Sequence, residues 1–227
     1  MGFTTRFWDC CKPSCAWPGN VNGKSPTKSC NQQNQSTDSN AQSSCNGGTS
    51  FACFDLSPWA VSNTLAYGFA AFDGATCGDC YQLSFTGTSN NPTNDFGSAS
   101  LCGKTMIVQI VNIGSIQPGT QFDLMVPGGG VGQNTQTCPS QWNVPASQLG
   151  DVNGGLLLTC QQQNSDYQTQ LSCAKAACAK VFSGSNEATL LAGCNWQVDW
   201  LGGAANPRVS FSKVACPSAI TDKSGLK

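Results

Sequence analysis

The chain has 227 residues, a formal net charge of −1 and a pI near 5.1, and its eleven Lys and Arg residues are scattered, which argues against nucleic acids and anionic membranes as partners. No apolar run approaches the roughly 20 residues that a membrane-spanning helix needs. Neither a repeat, a linker nor a second composition block divides residues 1–227, so we expect one domain.

In chain order, the first hundred residues are predicted to be mostly loops. Residues 20–50 are rich in Ser, Asn, Gln, Thr and Gly, and cannot bury enough apolar surface to order themselves. Cys30 and Cys45 lie within this segment, so we expect cross-links to hold it. Short β-branched and aromatic runs bounded by Gly, Pro or Asn predict strands at 81–85, 105–111, 121–126, 196–200 and 208–214.

Helical signals are weaker. Residues 57–68 combine a Ser cap, Pro at the first turn and a terminal Gly, and a second helix is predicted at 172–181. Short strands with long loops and a few short helices indicate a mainly β fold, most simply a small β-barrel.

Fifteen cysteines point to an oxidising compartment, because such a number is atypical of the cytosol. Zinc is the alternative, but the pair Cys77 and Cys80 has no second CxxC and the chain has no histidine. We therefore expect disulfides, one cysteine left over, and no metal or cofactor. The start Met1-Gly2 has no basic or apolar leader, so we expect a natural signal peptide to be missing, and secretion is inferred from the cysteines alone.

The absence of histidine excludes Ser-His-Asp and Cys-His catalysis, which leaves eleven Asp and one Glu as candidate reagents. Paired carboxylates in a secreted β-rich protein favour acid/base hydrolysis of sugars. Five acids in polar loops are interpreted as solvated: Asp38, Asp95, Asp151, Asp166 and Asp222. Three stand among apolar neighbours and could be buried acids paired with Arg6 or Arg208, or catalytic groups: Asp9, Asp123 and Asp199.

Aromatic residues cluster around the first of these acids, since Phe7, Trp8 and Trp17 lie within ten residues of Asp9. Aromatic rings can cover the apolar face of a sugar, although rings of this kind can equally fill a core. Their concentration near one carboxylate favours a sugar-binding site.

The segment 4–15, TTRFWDCCKPSC, resembles the signature of glycoside hydrolase family 45, small secreted endo-β-1,4-glucanases. The likeness to the fungal-type subfamily continues over about 4–216, in SPWAV at 57–61, GFAA at 68–71, FDL at 122–124, PGGGVG at 127–132 and NP at 206–207.

This resemblance implies a six-stranded double-psi β-barrel with long disulfide-linked loops around an open groove. It also implies an inverting mechanism, with Asp9 as general base and Asp123 as general acid. In such pairs the carboxyl groups stand about 6.5–9.5 Å apart to admit water. We expect the two pKa values to be pushed in opposite directions, by Arg6 or Lys12 near Asp9 and by desolvation of Asp123 by Phe122 and Leu124.

By the same resemblance, eleven residues are expected to bind a β-1,4-glucan chain: Thr5, Arg6, Phe7, Lys12, Trp17, Ala71, Ser115, Gln121, Gly128, Gly129 and Asn206. Three of them depart from the family pattern, because Phe7 replaces Tyr, Ser115 replaces a third Asp and Gln121 replaces His. We expect these changes to affect activity rather than reaction type.

The resemblance further implies seven disulfides: Cys10–Cys138, Cys11–Cys45, Cys15–Cys77, Cys30–Cys53, Cys80–Cys216, Cys178–Cys194 and, as an extra bridge, Cys160–Cys173. Cys102 is then the unpaired thiol. Gly78 and Leu226 stand where a further family bridge would be.

Three other functions remain open. Expansins share the barrel and loosen cell walls without hydrolysis, but they lack the N-terminal base. A carbohydrate-binding module needs aromatic residues but not two placed acids, and a barwin-type protein needs neither. We expect a single catalytic domain without a linker or a carbohydrate-binding module. We also expect a monomer whose partner is cellulose, a cello-oligosaccharide or a related β-glucan.

Overall fold

The computed structural model describes residues 1–93, 95–114, 117–184 and 187–227. The strands are β1 Gly2–Phe7, β2 Ser29–Cys30, β3 Phe51–Ala52, β4 Trp59–Ala60, β5 Leu65–Ala71, β6 Cys80–Ser89, β7 Thr105–Asn112, β8 Gln121–Met125 and β9 Pro207–Val214. The α-helices are α1 Thr137–Trp142, α2 Gly155–Gln163, α3 Tyr167–Val181, α4 Ala188–Asp199 and α5 Ser218–Ser224. Short 3₁₀ turns cover Ser14–Ala16, Pro18–Asn20, Ser44–Asn46, Phe54–Leu56, Ser98–Leu101 and Ala146–Gln148.

One mixed sheet dominates this mainly β fold. Its strand order is β4-β5-β7-β6-β9-β1-β8, and β5 also pairs with β8. The pairings of six strands therefore return to their starting point, while β4 is attached outside this series. The β1–β8 and β5–β7 pairs are parallel, and the others are antiparallel.

Alternation along the strands separates core from site. On β8, Phe122 and Leu124 are fully buried, whereas Gln121 and Asp123 are half-buried. Phe122 stacks on Phe72 with ring centroids 4.0 Å apart, within an apolar cluster that spans β5 to β9. Because successive strand residues point to opposite faces, packing of the phenylalanine turns the carboxylate away from this core.

Two of the predicted elements are wrong. Residues 57–68 form β4 and part of β5 rather than a helix, because β5 is hydrogen-bonded between β7 and β8 and this long-range pairing overrides the local cap signals. Residues 196–199 form the end of α4 rather than a strand, and Trp200 is the C-cap of this helix. Trp196 and Trp200 stack with ring centroids 5.4 Å apart, and five alternating residues alone do not distinguish helix from strand.

The remaining predicted strands are found, at 81–85 in β6, 105–111 in β7, 121–125 in β8 and 208–214 in β9. The predicted helix at 172–181 is the second part of α3, which has 15 residues and is longer than expected. The early chain is less loop-like than expected, because β1 and β5 lie in it.

All seven disulfides implied by the resemblance are present. The thiol of Cys102 is free and exposed. Where the further family bridge would be, a Cβ built on Gly78 would stand 3.2 Å from Cγ of Leu226, so these two positions are neighbours in space. Cross-links thus join the loop-rich region 10–53 within itself, to α1 and to the segment just before β6.

Candidate active site

The segment that carries the family signature begins on β1, which pairs with β8. Parallel register places Thr5 opposite Asp123 and Arg6 opposite Leu124. Thr5 and Phe7 are half-buried on one face of β1, while Arg6 is buried on the other. The strand alternation therefore brings Thr5 and Asp123 to the same face.

Asp123 is held by a short hydrogen-bonded series. The Thr5 hydroxyl donates to Oδ1 of Asp123 at 2.8 Å, and Nε2 of Gln121 donates to the Thr5 oxygen at 2.9 Å. Burial raises the pKa of Asp123 to about 6, against the lowering effects of the Thr5 hydrogen bond and the Arg6 charge. The negative charge of Asp9 raises it further. This carboxyl can therefore hold a proton in weakly acidic solution.

Asp9 stands just after β1 and immediately before two disulfide-bonded cysteines. The N–H of Cys11 donates to Oδ1 of Asp9 at 3.0 Å, and Nδ2 of Asn134 lies 3.3 Å from Oδ2. Cys10, with a left-handed φ of 63°, is bridged to α1, and Cys11 is bridged to Cys45. The double cysteine thus fixes the backbone on the C-terminal side of this acid.

The expectation that the two pKa values move in opposite directions is wrong. Burial raises the pKa of Asp9 as well, and the hydrogen bonds from Cys11 and Asn134 oppose this only in part. Within the described residues, no cation lies within 4 Å of either carboxylate. Two acids in one partly buried place both lose hydration, so burial acts on them with the same sign.

Arg6 and Lys12 do not serve Asp9. The Arg6 guanidinium donates to the carbonyls of Ala204 and Ala205, both at 2.9 Å, and its charge acts on Asp123. The Lys12 ammonium lies 3.4 Å from the ring centre of Trp17. It also donates to the carbonyls of Ser39 and Ala41, at 2.7 and 2.8 Å.

Both carboxylates line one open cleft of about 460 Å³, together with Phe7 and residues 131–134. A separate cavity of about 20 Å³ adjoins Asp9 and is lined also by Phe7, Cys11 and Asn112. That volume is sufficient for one water molecule. The cleft thus offers a proton acceptor and a proton donor, and the small cavity beside Asp9 has room for one water molecule.

The other residues expected to bind substrate are placed unevenly. Ala71 pairs with Asp123 across β5 and β8, so it borders the acid. Gly128 and Gly129 are buried, and a Cβ on Gly129 would stand 3.0 Å from Cβ of Arg6; these glycines permit close packing of the protein against itself. Asn206 is half-buried and follows Ala204 and Ala205, whose carbonyls accept hydrogen bonds from Arg6. Ser115 lies outside the described residues.

Two acids differ from their interpretation from sequence. Asp199 is exposed at the end of α4 and forms an ion pair with Lys175 at 2.7 Å, so it is not a buried acid. Asp95, interpreted as solvated, is 8% exposed and accepts four hydrogen bonds. No local sequence signal indicates this, because two of its donors lie 110 and 111 residues away.

In the described ranges, no three His, Cys, Asp or Glu side chains group as potential metal ligands. None of the helices in those ranges is long and apolar enough to cross a membrane.

Comparison with known proteins gives concordant matches. The profile described as glycosyl hydrolase family 45 matches residues 1–227. Endoglucanase B of Cellvibrio japonicus is 46% identical over 231 residues, which is 99% of this chain and 45% of that protein. An endoglucanase of Cryptopygus antarcticus is 39% identical over 98% of this chain and 87% of its own length. The chain thus spans less than half of the Cellvibrio relative.

The same fold occurs in a solved structure. The crystal structure of a cellulase from the Antarctic springtail Cryptopygus antarcticus superposes with a TM-score of 0.77 and 38% identity. The match covers 99% of this chain and 95% of that one.

Proposed function

Because the chain belongs to glycosyl hydrolase family 45, we propose that it is an endo-β-1,4-glucanase that uses Asp9 as general base and Asp123 as general acid. The observation that carries this proposal is the placement of both acids in one open cleft beside Phe7. An open cleft can accept the interior of a polymer chain, which suits endo-cleavage.

In the proposed reaction, water attacks the anomeric carbon and gives a proton to Asp9, while Asp123 gives its proton to the departing glycosidic oxygen as the C–O bond breaks. Configuration at the anomeric carbon is inverted in this single displacement. Asp9 ends protonated and Asp123 ionised, and exchange with solvent restores both.

Two features support these roles. Asp9 accepts two hydrogen bonds, from Cys11 and Asn134, and such donors favour the ionised form that a base requires. Asp123 has a pKa of about 6, so it is protonated below that pH, as an acid catalyst requires. Because burial raises both values, we expect a pH–rate profile confined to weakly acidic conditions.

The substrate is proposed to be cellulose or a related β-glucan. Phe7 can pack on a sugar ring, and Trp17 can add a second aromatic contact, although Lys12 covers one face of it. Thr5, Arg6, Ala71 and Gln121 are assigned to arranging the acid. Asn206 and the backbone of 128–129 are assigned to shaping the cleft.

We further propose that the closed series of six strands is a barrel of the double-psi type, and that residues 1–227 act as a single catalytic domain and a monomer. Seven disulfides support a secreted protein, because oxidising compartments preserve such bridges.

The test measures viscosity and new reducing ends on carboxymethyl cellulose, with Asp9→Asn and Asp123→Asn alongside. A rapid fall in viscosity that both substitutions abolish is the expected result, and NMR should show the α-anomer as the first product. No reducing ends above the two variants, with binding to cellulose retained, would overturn the proposal in favour of expansin-like wall loosening. That alternative is the one that Gln121, in place of the family's His, leaves open.

A further inference from the structure

Another buried acid, Asp95, lies near Arg6. Asp95 accepts hydrogen bonds from the hydroxyls of Ser89 and Ser98, at 2.5 and 2.8 Å, and from the N–H groups of Ala205 and Asn206, both at 2.9 Å. All four partners donate, so the oxygens of Asp95 are acceptors in each of these contacts. The acid is therefore the anchor of segment 204–206.

Segment 204–206 also binds Arg6, through backbone carbonyls rather than N–H groups. The carbonyls of Ala204 and Ala205 each accept from Nη1 of Arg6 at 2.9 Å, and the carbonyl of Gly154 accepts from Nη2 at 3.3 Å. Ala205 thus donates to Asp95 and accepts from Arg6. Losing the anchor would release two of the three carbonyls that hold the guanidinium.

Arg6 is a buried cation with two carboxylates in electrostatic reach. Desolvation lowers its pKa to about 10, and the charges of Asp95 and Asp123, in that order, oppose the lowering. Yet the described part of the chain contains no ion pair between Arg6 and either acid within 4 Å. Backbone carbonyls take its hydrogen bonds instead, although a carboxylate is the stronger partner for a guanidinium.

We propose that Asp95 is a positioning residue for the reaction: by fixing segment 204–206, it holds the Arg6 guanidinium on backbone carbonyls and away from Asp123. Asp123 is thereby left able to carry the proton that it donates. This inference rests on the proposed role of Asp123 as general acid. The charged or titratable groups that face this system are Arg6 from β1, Asp9 beside Asp123, and Tyr167 from α3 beside Asp95.

The test is Asp95→Asn, read out as the pKa of the Asp123 carboxyl by ¹³C NMR titration and as the alkaline limb of kcat/KM. We expect the Arg6 charge, no longer fixed on those carbonyls, to act more strongly on Asp123 and to lower its pKa by about one unit or more, the usual effect of an adjacent cation on a carboxylate. The alkaline limb should move to lower pH by the same amount. An unchanged or raised pKa would overturn the proposal, even if activity or melting temperature fell.

The double variant Arg6→Met/Asp95→Asn shows whether Asp95 acts through Arg6. Without the guanidinium, Asp95→Asn should leave the Asp123 pKa at the value found in Arg6→Met alone; a shift that persists would contradict this coupling. Asp166→Asn, which changes the cap of α3, is the matched control and should not move it. If Asp95→Asn does not fold, Ser98→Ala, which removes one donor to Asp95, should give a smaller shift of the same sign.

The NMR readout needs no turnover. A failed hydrolysis assay would overturn the proposed function, whereas a failed titration shift would overturn only the role of Asp95.

Discussion

Thr5 and Asp123 are 118 residues apart in the chain and are joined by a hydrogen bond of 2.8 Å. The bond follows from the parallel register of β1 and β8, which makes the two residues direct neighbours. Gln121, two residues before the acid, directs the hydroxyl by donating to its oxygen. Since an amide does not titrate, this support for Asp123 stays constant across the working pH range.

Thr5→Val should therefore raise the pKa of Asp123 above about 6, because the hydroxyl favours the ionised carboxylate and the isosteric side chain cannot donate. The alkaline limb of the pH–rate profile should move to higher pH, and kcat should fall about tenfold because the acid loses its alignment. Thr5→Ser retains the donor and should keep the limb in place. A Thr5→Val limb at lower pH would contradict this explanation.

Asn134→Ala should act on the acidic limb of the pH–rate profile rather than on the alkaline limb. Its amide favours ionised Asp9, so its loss should raise the pKa of Asp9 and shift the acidic limb of kcat/KM to higher pH. The expected shift is about half a unit, since the contact at 3.3 Å is long for a hydrogen bond. Gln136→Ala, an exposed amide in the same segment, is the control. If the two variants gave equal pH profiles of kcat/KM, Asn134 would not stabilise the ionised form of Asp9.

Asp123→Asn should make the protein more stable at neutral pH. A carboxyl whose pKa is raised from 3.8 to about 6 on folding contributes stability below pH 3.8 that is lost as the pH rises through 6. A pKa rise of about two units corresponds to about 3 kcal/mol, so the free energy of unfolding in urea at pH 7 should increase by up to this amount.

At pH 3.5 the same variant and the natural sequence should unfold alike. Asp222→Asn, at an exposed ion pair with Lys227, serves as the comparison and should change little at either pH. A gain of equal size at both pH values would mean that packing, not ionisation, separates Asn from Asp at this position.

Removal of the Cys10–Cys138 bridge and removal of the Cys160–Cys173 bridge should have different consequences. The chain-entropy relation gives about 4.9 kcal/mol for Cys10–Cys138, which spans 128 residues, and about 2.9 kcal/mol for Cys160–Cys173, which spans 13. Paired Cys→Ser variants compared by thermal unfolding check this order. Loss of the first bridge should also lower kcat, because it holds the backbone beside Asp9, whereas loss of the second should leave kcat unchanged. Equal kcat values for the two variants would refute a positioning role for the first bridge.

The strands that sequence predicts correctly are those with β-branched residues between turn signals, as in β7 and β9. The errors at 57–68 and 196–200 arise because cap residues in the first segment and apolar–polar alternation in the second are only local signals, whereas partners distant in sequence decide between helix and strand. Strand β1 is not predicted, because Arg6 interrupts its apolar pattern. The Arg6 guanidinium is nevertheless buried and donates to backbone carbonyls.

The positions of Asp9 and Asp123 could be proposed because each stands in a recognisable motif. Their environments could not, since the burial that raises both pKa values depends on how loops pack. Asp95 illustrates the same limit: Ser89 and Ser98 are near it in sequence but form no recognisable motif, and only the fold brings Ala205 and Asn206 to its carboxylate.

Strand β8 is hydrogen-bonded along both edges, to β1 on one side and to β5 on the other. Its acid is consequently preorganised, because neither neighbour can move without breaking the closed series of pairings. Little reorganisation energy should then accompany proton donation, and the reaction should not wait for a conformational closure. Under the proposed mechanism, a glucan chain bound in the cleft would be cut at the bond that lies against Asp123.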